Sequence, residues 1–252
     1  KVLQQLSSGS RINSGADDAA GLAVADGLAA NQAALTQSAQ NAQNGVGMLQ
    51  TADGALAQVT NLLTRAVTLA TEASNSTLNT AQLTAANTEF TSIVQEITNI
   101  GTSTNFNGNA VFSATAANIV TTDGTASGVT TFAPVVGVLT NASIGGTAVT
   151  LGADVLTSNA TAATALTDVT ASIAAVAAQR GTLGASINQL NAASSVASTE
   201  QVNLSAAESN IRATNYGQAT SDLAKYQVLS QTGISALAQA NSVQQEILKL
   251  LQ

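Results

Sequence analysis

The chain has 252 residues, of which only 8% are charged and 2% aromatic, and it contains no His, Cys or Trp. The absence of His and Cys excludes a disulfide framework, a thiol nucleophile and the usual zinc, haem or copper sites. A net charge of −7 without a basic run argues against nucleic acid as a partner, and no stretch approaches the ~18 consecutive apolar residues of a membrane span.

The first predicted helix begins near an acidic pair. Ser14 and Asp17 have the spacing of a capping box with Asp in place of Glu, and Asp17 and Asp18 are expected in the first turn, where the helix dipole favours negative charge. Apolar residues then recur every seven positions, namely Leu28, Leu35, Ala42, Leu49, Leu56 and Leu63, with Ala39, Val46 and Val67 on the neighbouring row. This heptad seam predicts left-handed supercoiling against a partner helix.

A second helix is predicted from about Ala81, after an Asn- and Ser-rich break. One face of it carries Leu83, Phe90, Ile93, Val94, Ile97 and Ile100, and Gly101 follows as a stop signal. The next segment contains Asn107-Gly108, a favoured two-residue hairpin turn.

Residues 113–163 differ in composition from both flanks, which are helical in pattern. Runs of Thr, Val, Gly and Ala, such as Gly128 to Phe132 and Thr147 to Leu151, are separated by Gly and Asn and predict short strands. The segment is therefore expected to form a small β-rich domain or a hairpin lobe.

Helix returns at about Ala162 and continues to about Ile211. Its apolar positions are Leu166, Val169, Ile173, Val176, Leu183, Ile187, Leu190 and Val196, and we expect it to pack antiparallel on the first long helix. The fold predicted by these patterns is mainly α, an elongated rod of long antiparallel, coiled-coil-like helices with a small β-hairpin and a short β-rich central lobe.

The last helix is predicted from about Tyr216 to Leu251 and has one long apolar face. We call this set of residues the α5 face: Leu223, Tyr226, Leu229, Ile234, Leu237, Ile247, Leu248 and Leu251. Within the chain only the short stretch Lys1 to Leu6 carries a matching pattern. The α5 face is therefore expected either to be covered by other molecules or to stay loosely packed.

Two signatures near the ends of the chain resemble those of the bacterial flagellins, the subunits of the flagellar filament. Residues 6–21, LSSGSRINSGADDAAG, are similar to the N-terminal signature of that family, and residues 203–212, NLSAAESNIR, to the C-terminal one. Gln179-Arg180 with Leu183-Gly184, the NFNG turn at 105–108 and AQAN at 238–241 agree at matching distances. Ser10 and Ala16 depart from the usual apolar residue and Lys at those positions.

The resemblance implies a structural role in motility. Its expected partners are further copies of the same chain in a helical tube, an export chaperone and the cap protein, and its expected location is secreted and extracellular, in the flagellum at the bacterial cell surface. No cofactor and no metal are implied. Because the family has a further helical stretch before the equivalent of Lys1, the chain is expected to be N-terminally truncated and to stay monomeric in solution.

The same resemblance divides the chain into five parts. Residues 1–16 end the N-terminal helical region, 17–112 and 164–212 are the two halves of a helical rod domain, 113–163 are a variable outer segment, and 213–252 are the C-terminal helix of the inner filament domain.

A receptor contact is also implied by resemblance. The positions matching Arg65, Leu69 and Glu89 form part of the family's surface for Toll-like receptor 5 of vertebrate innate immunity. The stretch 64–69, TRAVTL, lacks the second Arg and the Glu usually found there, with Val67 and Thr68 in their place. Fewer charge-assisted contacts predict weaker recognition.

Three alternatives are open to the sequence. A hook–filament junction protein has similar termini, although the C-terminal signature favours the filament subunit. A non-filament adhesin or polysaccharide-binding protein would use residues 113–163, where Phe132 is the one aromatic residue that could stack on a sugar. An enzyme is disfavoured because Asp17 and Asp18 are adjacent, and Lys225 with Ser221 and Ser230 lacks an oxyanion loop.

Overall fold

The computed structural model describes residues 1–122 and 131–250, with side chains described as far as residue 245. The described helices are α1 (Val2–Ser8), α2 (Ala19–Ala73), α3 (Thr80–Ser103), α4 (Asn159–Arg212) and α5 (Tyr216–Leu250). The described strands are β1 (Asn105–Phe106), β2 (Asn109–Ala110), β3 (Ile119–Val120), β4 (Thr131–Phe132), β5 (Ser143–Ile144) and β6 (Thr147–Ala148). The strands form the antiparallel pairs β1–β2, β3–β4 and β5–β6. The predicted mainly α fold with small β elements is confirmed.

The chain divides into two compact units. One consists of residues 1–33 and 201–252, and the other of residues 34–200. These boundaries differ from the five-part division expected from the sequence, which stays a prediction.

In the unit of residues 34–200, α2 and α4 run antiparallel. Gln43 near the start of this part of α2 hydrogen-bonds Ser194 at 3.3 Å, whereas Asn159 at the start of α4 donates to the Ala73 carbonyl at the end of α2 at 3.2 Å. A residue early in α2 thus contacts one late in α4, and a residue late in α2 contacts one early in α4. The predicted antiparallel packing is confirmed.

The heptad seam of α2 lies in the core. Leu35, Ala42, Val46, Leu49, Leu56 and Leu63 are buried, and Leu28, Ala39 and Val67 are half-buried. Apolar residues seven apart stay on one side of a helix, so a single seam can supply a continuous core. The left-handed supercoil stays a prediction.

Close approach of neighbouring side chains explains Gly45 beside this seam. The position that a Cβ atom would take lies against the side chains of Ile119 on β3 and Leu190 on α4. Only glycine leaves room for both neighbours here, because protein cores have no spare volume.

A capping box starts α3 at Thr80, close to the predicted Ala81. The Asn79 side chain accepts from the Gln82 backbone N–H at 2.9 Å, and the Gln82 side chain accepts from the Asn79 N–H at 3.0 Å. The predicted face of α3 is confirmed, since Phe90, Ile93, Val94 and Ile97 are buried and Leu83 and Ile100 half-buried.

The predicted hairpin is present. Asn107 and Gly108 join β1 to β2 with φ values of 51° and 80°. Positive φ at both central residues is the pattern of a type I′ turn, which suits the twist of a hairpin and favours Asn-Gly.

Of the two predicted strand runs in the outer segment, the second is shorter than predicted and the first is described only in part. In the run Gly128 to Phe132, residues 128–130 lie outside the described residues, and β4 covers only the last two. In the second run β6 ends at Ala148, and Leu151 begins a 3-10 helix, Leu151–Ala153. The chain turns there because the buried Leu151 packs into the core while the Gly152 N–H donates to the Asn141 carbonyl at 3.1 Å.

Helix α4 begins earlier than the predicted Ala162. The Ser158 side chain accepts from the Thr161 backbone N–H at 3.2 Å and so caps a helix that starts at Asn159. Serine is a favoured N-cap because its hydroxyl satisfies a backbone donor that the first turn leaves unpaired.

Val196 is a wrong core prediction. Its side chain is 58% exposed, whereas the adjacent Ala197 is buried. Leu183, Leu190 and Ala197 are spaced by seven residues and form the buried row of α4. Val196 points about 100° away from this row. The other predicted positions of α4, Leu166 to Leu190, are buried or half-buried.

In the unit of residues 1–33 and 201–252, α1 packs against α5. The predicted capping box at Ser14 is wrong, since α2 begins at Ala19 and Asp18 is its N-cap, with Oδ1 accepting from the Gly21 N–H at 2.8 Å. Asp17 lies in the preceding loop because its carboxylate accepts from the Asn13 and Ser14 N–H groups at 3.2 Å each.

Candidate functional site

The described part of the α5 face is exposed. Tyr226, Leu229, Ile234 and Leu237 are 58%, 54%, 66% and 67% exposed, and Leu223 is half-buried. The side chains of Ile247 and Leu248 and the whole of Leu251 lie outside the described residues. A row of large apolar side chains in water is costly to leave uncovered, so this face has the character of an interaction surface.

Further exposed apolar residues lie off the predicted face. Val228 and Val243 are 62% and 45% exposed. At 3.6 residues per turn, Val243 lies about 40° beyond the edge of the α5 face and Val228 about 100° beyond it. The apolar surface of α5 is therefore broader than one stripe, which a search for a single periodic face missed.

A short connection fixes where α5 begins. The Arg11 N–H donates to the Arg212 carbonyl at 2.7 Å, and the Thr214 N–H donates to the Gly9 carbonyl at 3.1 Å. Asn215 then caps α5 by accepting from the Gln218 N–H at 3.2 Å. The start of α5 is thus held by the loop that follows α1.

Arginine side chains strengthen this junction. Arg212 forms ion pairs with Asp26 on α2 and, at 3.4 Å, with Glu208 one turn earlier on α4. The Arg11 guanidinium donates to the Ile211 carbonyl at 3.0 Å. These roles were missed from the sequence, because both arginines occur in the signatures without an evident partner nearby.

The acidic pair Asp17 and Asp18 is structural in geometry. Asp17 forms an ion pair with Lys1 at 2.9 Å, and that contact, with the backbone donor of Asn13, lowers the pKa of the Asp17 carboxyl to about 2. Asp18 caps α2. The two carboxylates have separate partners, so they do not share a proton.

The predicted receptor residues separate into a surface pair and a core residue. Arg65 on α2 and Glu89 on α3 form a two-pronged ion pair, with Nε–Oε1 at 2.6 Å and Nη2–Oε2 at 2.9 Å. Glu89 raises the pKa of the Arg65 guanidinium, and Arg65 lowers the pKa of the Glu89 carboxyl. Leu69 is only 3% exposed. Its side chain therefore belongs to the core and not to the exposed surface.

A second pair of neighbouring carboxyl groups, Asp154 and Asp168, lies where the outer segment meets α4. The Thr150 hydroxyl donates to the Asp168 carboxylate at 2.6 Å, and Asp154 lies beside the same carboxylate. Burial first, then the charge of Asp168 and a hydrogen bond to it, raises the pKa of the Asp154 carboxyl to about 6. Within the described part of the chain, Asp154 Oδ2 is buried without a hydrogen-bond donor, which disfavours the charged carboxylate.

Neither a metal centre nor a sugar platform is found among the described residues. They contain no group of three or more acidic side chains able to hold a metal ion. Phe132 is half-buried and packs against the core, so its ring is not a free stacking surface. Ser221, Lys225 and Ser230 lie on the exposed surface of α5.

By length and composition alone, α4 is apolar enough to cross a membrane. Core helices meet the same test, and Val169, Val176 and Leu183 of α4 are buried in the unit of residues 34–200. Absence of membrane insertion stays a prediction.

Two family models match most of the chain. The model of the bacterial flagellin N-terminal helical region matches residues 1–117, and that of the bacterial flagellin C-terminal helical region matches residues 166–251. The stretch between the two matches contains most of the outer segment.

Relatives match over nearly the whole length. A flagellin of Halalkalibacterium halodurans is 34% identical over 251 residues, which is 100% of this chain and 91% of the relative. The flagellar filament 30.7 kDa core protein of Treponema maltophilum is 33% identical over 99% of this chain and 90% of its own length. The crystal structure of Bacillus cereus flagellin is similar with a TM-score of 0.53 and 29% identity, over 62% of this chain and 88% of that one.

Proposed function

The chain belongs to the bacterial flagellin family, and from this premise we propose that it is a structural subunit of the flagellar filament. Its relatives include filament core proteins that match over nearly their full length. Hook–filament junction and adhesin functions are not favoured, because the similar proteins are flagellins and filament proteins.

The observation that carries this function is the exposed α5 face. Tyr226, Leu229, Ile234 and Leu237 are each more than half exposed in a single copy. Burying such side chains contributes about 1.5–3 kcal/mol each. Neighbouring copies of the chain would provide the cover, and each added subunit would gain this free energy.

Assembly follows from the symmetry of such contacts. When one surface of a subunit binds a different surface of the next, the contacts generate an open helical array unless the rotation closes. In this proposal the α5 face of one copy packs against terminal helices of its neighbours. Because the filament is extracellular, the chain must be exported. An export chaperone and the cap protein are therefore further expected partners.

The role proposed is mechanical rather than enzymatic. Three ion pairs described above are structural: Asp17 with Lys1, Arg65 with Glu89, and Arg212 with Asp26. A catalytic site needs polar groups that converge on a substrate, and the charged contacts found here tie elements of the fold to each other.

Recognition by Toll-like receptor 5 is proposed for the surface that carries Arg65 and Glu89. Both side chains are about half exposed, at 52% and 45%. Leu69 is buried in the core, and we propose it as a supporting residue, since its burial leaves it almost no contact area of its own. The discriminating measurement is a binding comparison of variants at these positions.

The assembly proposal is tested in cells that lack their own filament gene and express the gene that encodes this chain. We expect electron microscopy to show filaments when that gene is unaltered. Replacing both Leu229 and Ile234 by Asn should remove most of the filament length, because the polar amides oppose burial of the α5 face.

Ser235→Asn is the matched control. Ser235 lies on the other side of α5 and is exposed, so the same residue type is introduced outside the α5 face, and filaments should form. Circular dichroism of the purified variants checks that the helices are retained. Normal filaments from the double variant would contradict the role of the α5 face, and no filaments from the parent would contradict the function.

A further inference from the structure

The dipeptide Asn-Gly occurs at Asn44-Gly45 and at Asn107-Gly108. The first lies within α2, and the second forms the turn between β1 and β2. We propose that Asn107 is a site of spontaneous deamidation in the folded protein, and that the structure protects Asn44 from the same reaction.

The reaction requires only water as co-reactant. The Gly108 backbone nitrogen attacks the side-chain carboxamide carbon of Asn107, forming a five-membered succinimide. The nitrogen loses its proton, and the side-chain amide leaves as ammonia. Water then attacks one of the two ring carbonyl carbons and breaks its bond to the nitrogen, which yields aspartate or isoaspartate at position 107. One ammonia is lost and one water is gained, with no oxidation or reduction.

The hairpin turn leaves the reacting atoms accessible. Asn107 and Gly108 are both exposed, and apart from the adjoining residues of the chain no described atom lies within 4 Å of where a Gly108 Cβ would be. Within the described part of the chain the Gly108 N–H donates to no acceptor. A nitrogen that is unpaired, solvated and free of a neighbouring side chain is available for the attack.

The turn can also change conformation at low cost. The attack needs rotation about the Asn107 backbone to bring the Gly108 nitrogen toward the carboxamide. The ladder that holds the turn consists of two residue pairs, Asn105 with Ala110 and Phe106 with Asn109. Short, exposed hairpin tips open with free energies near the low end of the range seen in folded proteins.

Asn44 has the opposite surroundings. Gly45 is buried inside α2 and lies against the side chains of Ile119 and Leu190. Its backbone nitrogen is within a continuous helix, where each N–H donates to the carbonyl four residues earlier. Attack at Asn44 would require local unfolding of a helix whose neighbouring residues form the core.

Deamidation would alter the hairpin in two ways. It adds one negative charge to a chain that already carries a net charge of −7. The isoaspartate product also inserts one extra carbon into the backbone of a turn that depends on positive φ at Asn107. We expect the hairpin to loosen where the Phe106 ring packs near Gly47 of α2. The ring lies 3.4 Å from the point that a Cβ atom at position 47 would occupy.

The test is incubation of the purified full chain in mildly alkaline buffer, followed by proteolysis and mass spectrometry. Conversion of the Asn107 peptide should be at least about tenfold faster than that of the Asn44 peptide, since opening a core helix costs more than opening a hairpin tip. The same incubation in denaturant should bring the two rates close together.

Two variants sharpen the result. Asn107→Gln should abolish conversion at position 107, because the longer side chain disfavours ring closure, and should leave Asn44 unchanged. Asn107→Asp should reproduce in part the faster backbone hydrogen exchange that we expect for the hairpin of the incubated, deamidated protein. Equal conversion at the two sites in the folded chain, or conversion at Asn44 with Asn107 intact, would overturn the proposal.

Discussion

Arg65 on α2 and Glu89 on α3 are joined by two parallel hydrogen bonds of 2.6 Å and 2.9 Å. Each guanidinium nitrogen that donates has its own carboxylate oxygen, which is the geometry that Arg forms and Lys cannot. The pair is half exposed and therefore screened by water. Its contribution to recognition is accordingly expected to exceed its contribution to folding.

Arg65→Ala should leave the free energy of unfolding nearly unchanged and lower affinity for the isolated ectodomain of Toll-like receptor 5 roughly tenfold, through loss of charge-assisted contacts. Leu69→Ala should instead reduce stability by about 2–5 kcal/mol, because it empties a buried site. Surface plasmon resonance and urea unfolding separate the two effects. Unchanged receptor binding by Arg65→Ala would remove Arg65 from the proposed contact.

Two glycines of α2 should respond to alanine with opposite signs. Gly45→Ala places a methyl group against Ile119 and Leu190 and should destabilise the protein by about 1 kcal/mol. Gly54 has no atom within 4 Å of its Cβ position, so Gly54→Ala should stabilise by about 0.5–1 kcal/mol through helix propensity. Thermal unfolding followed by circular dichroism measures both, and equal shifts would contradict the close packing at Gly45.

Asp154 should make the protein more stable as the pH falls from about 6 toward 4. Its folded pKa of about 6 lies above the ordinary 3.8, so the folded state binds the proton more tightly and gains stability on protonation. With solvent screening allowed for, the gain is about 1 kcal/mol. Asp17 and Glu89 have lowered pKa values and act in the opposite direction at lower pH.

Asp154→Asn isolates this effect, because the amide is neutral and can donate to Asp168. The variant should be more stable than the parent above pH 6, and the difference should shrink toward pH 4. Urea unfolding across this interval gives the difference directly. A difference that does not vary with pH would show that the Asp154 charge has no part in it.

The heptad seam of α2 should dominate the stability of the unit of residues 34–200. Leu56 is 1% exposed, so Leu56→Ala should cost about 2–5 kcal/mol. Val196→Ala removes a smaller apolar side chain at a 58% exposed position and should change stability by less than about 0.5 kcal/mol. Urea unfolding measures both variants. A comparable loss of stability in the two would contradict the finding that Ala197, and not Val196, is the buried residue of α4.

Much of the fold was accessible from the sequence because its signals are local. The sevenfold spacing from Leu35 to Leu63 predicted a buried stripe, and the exposed α5 face followed from an apolar pattern without a matching partner in the chain. The turn at Asn107-Gly108 was predicted because few residue types accept positive φ there. The seam and the turn depend on residue spacing or turn type alone, and the α5 face required only a comparison of apolar patterns along the chain.

What required the tertiary structure were choices between local options of similar free energy. Whether Ser14 or Asp18 caps α2 depends on Lys1 and Asn13, which draw Asp17 into the loop. Whether Leu69 is surface or core depends on the elements packed around α2, and the partner of Arg212 is 186 residues away in sequence. Side-chain periodicity determines which face of a helix is apolar, but burial and ion pairing depend on residues distant in the chain, and only folding brings those together.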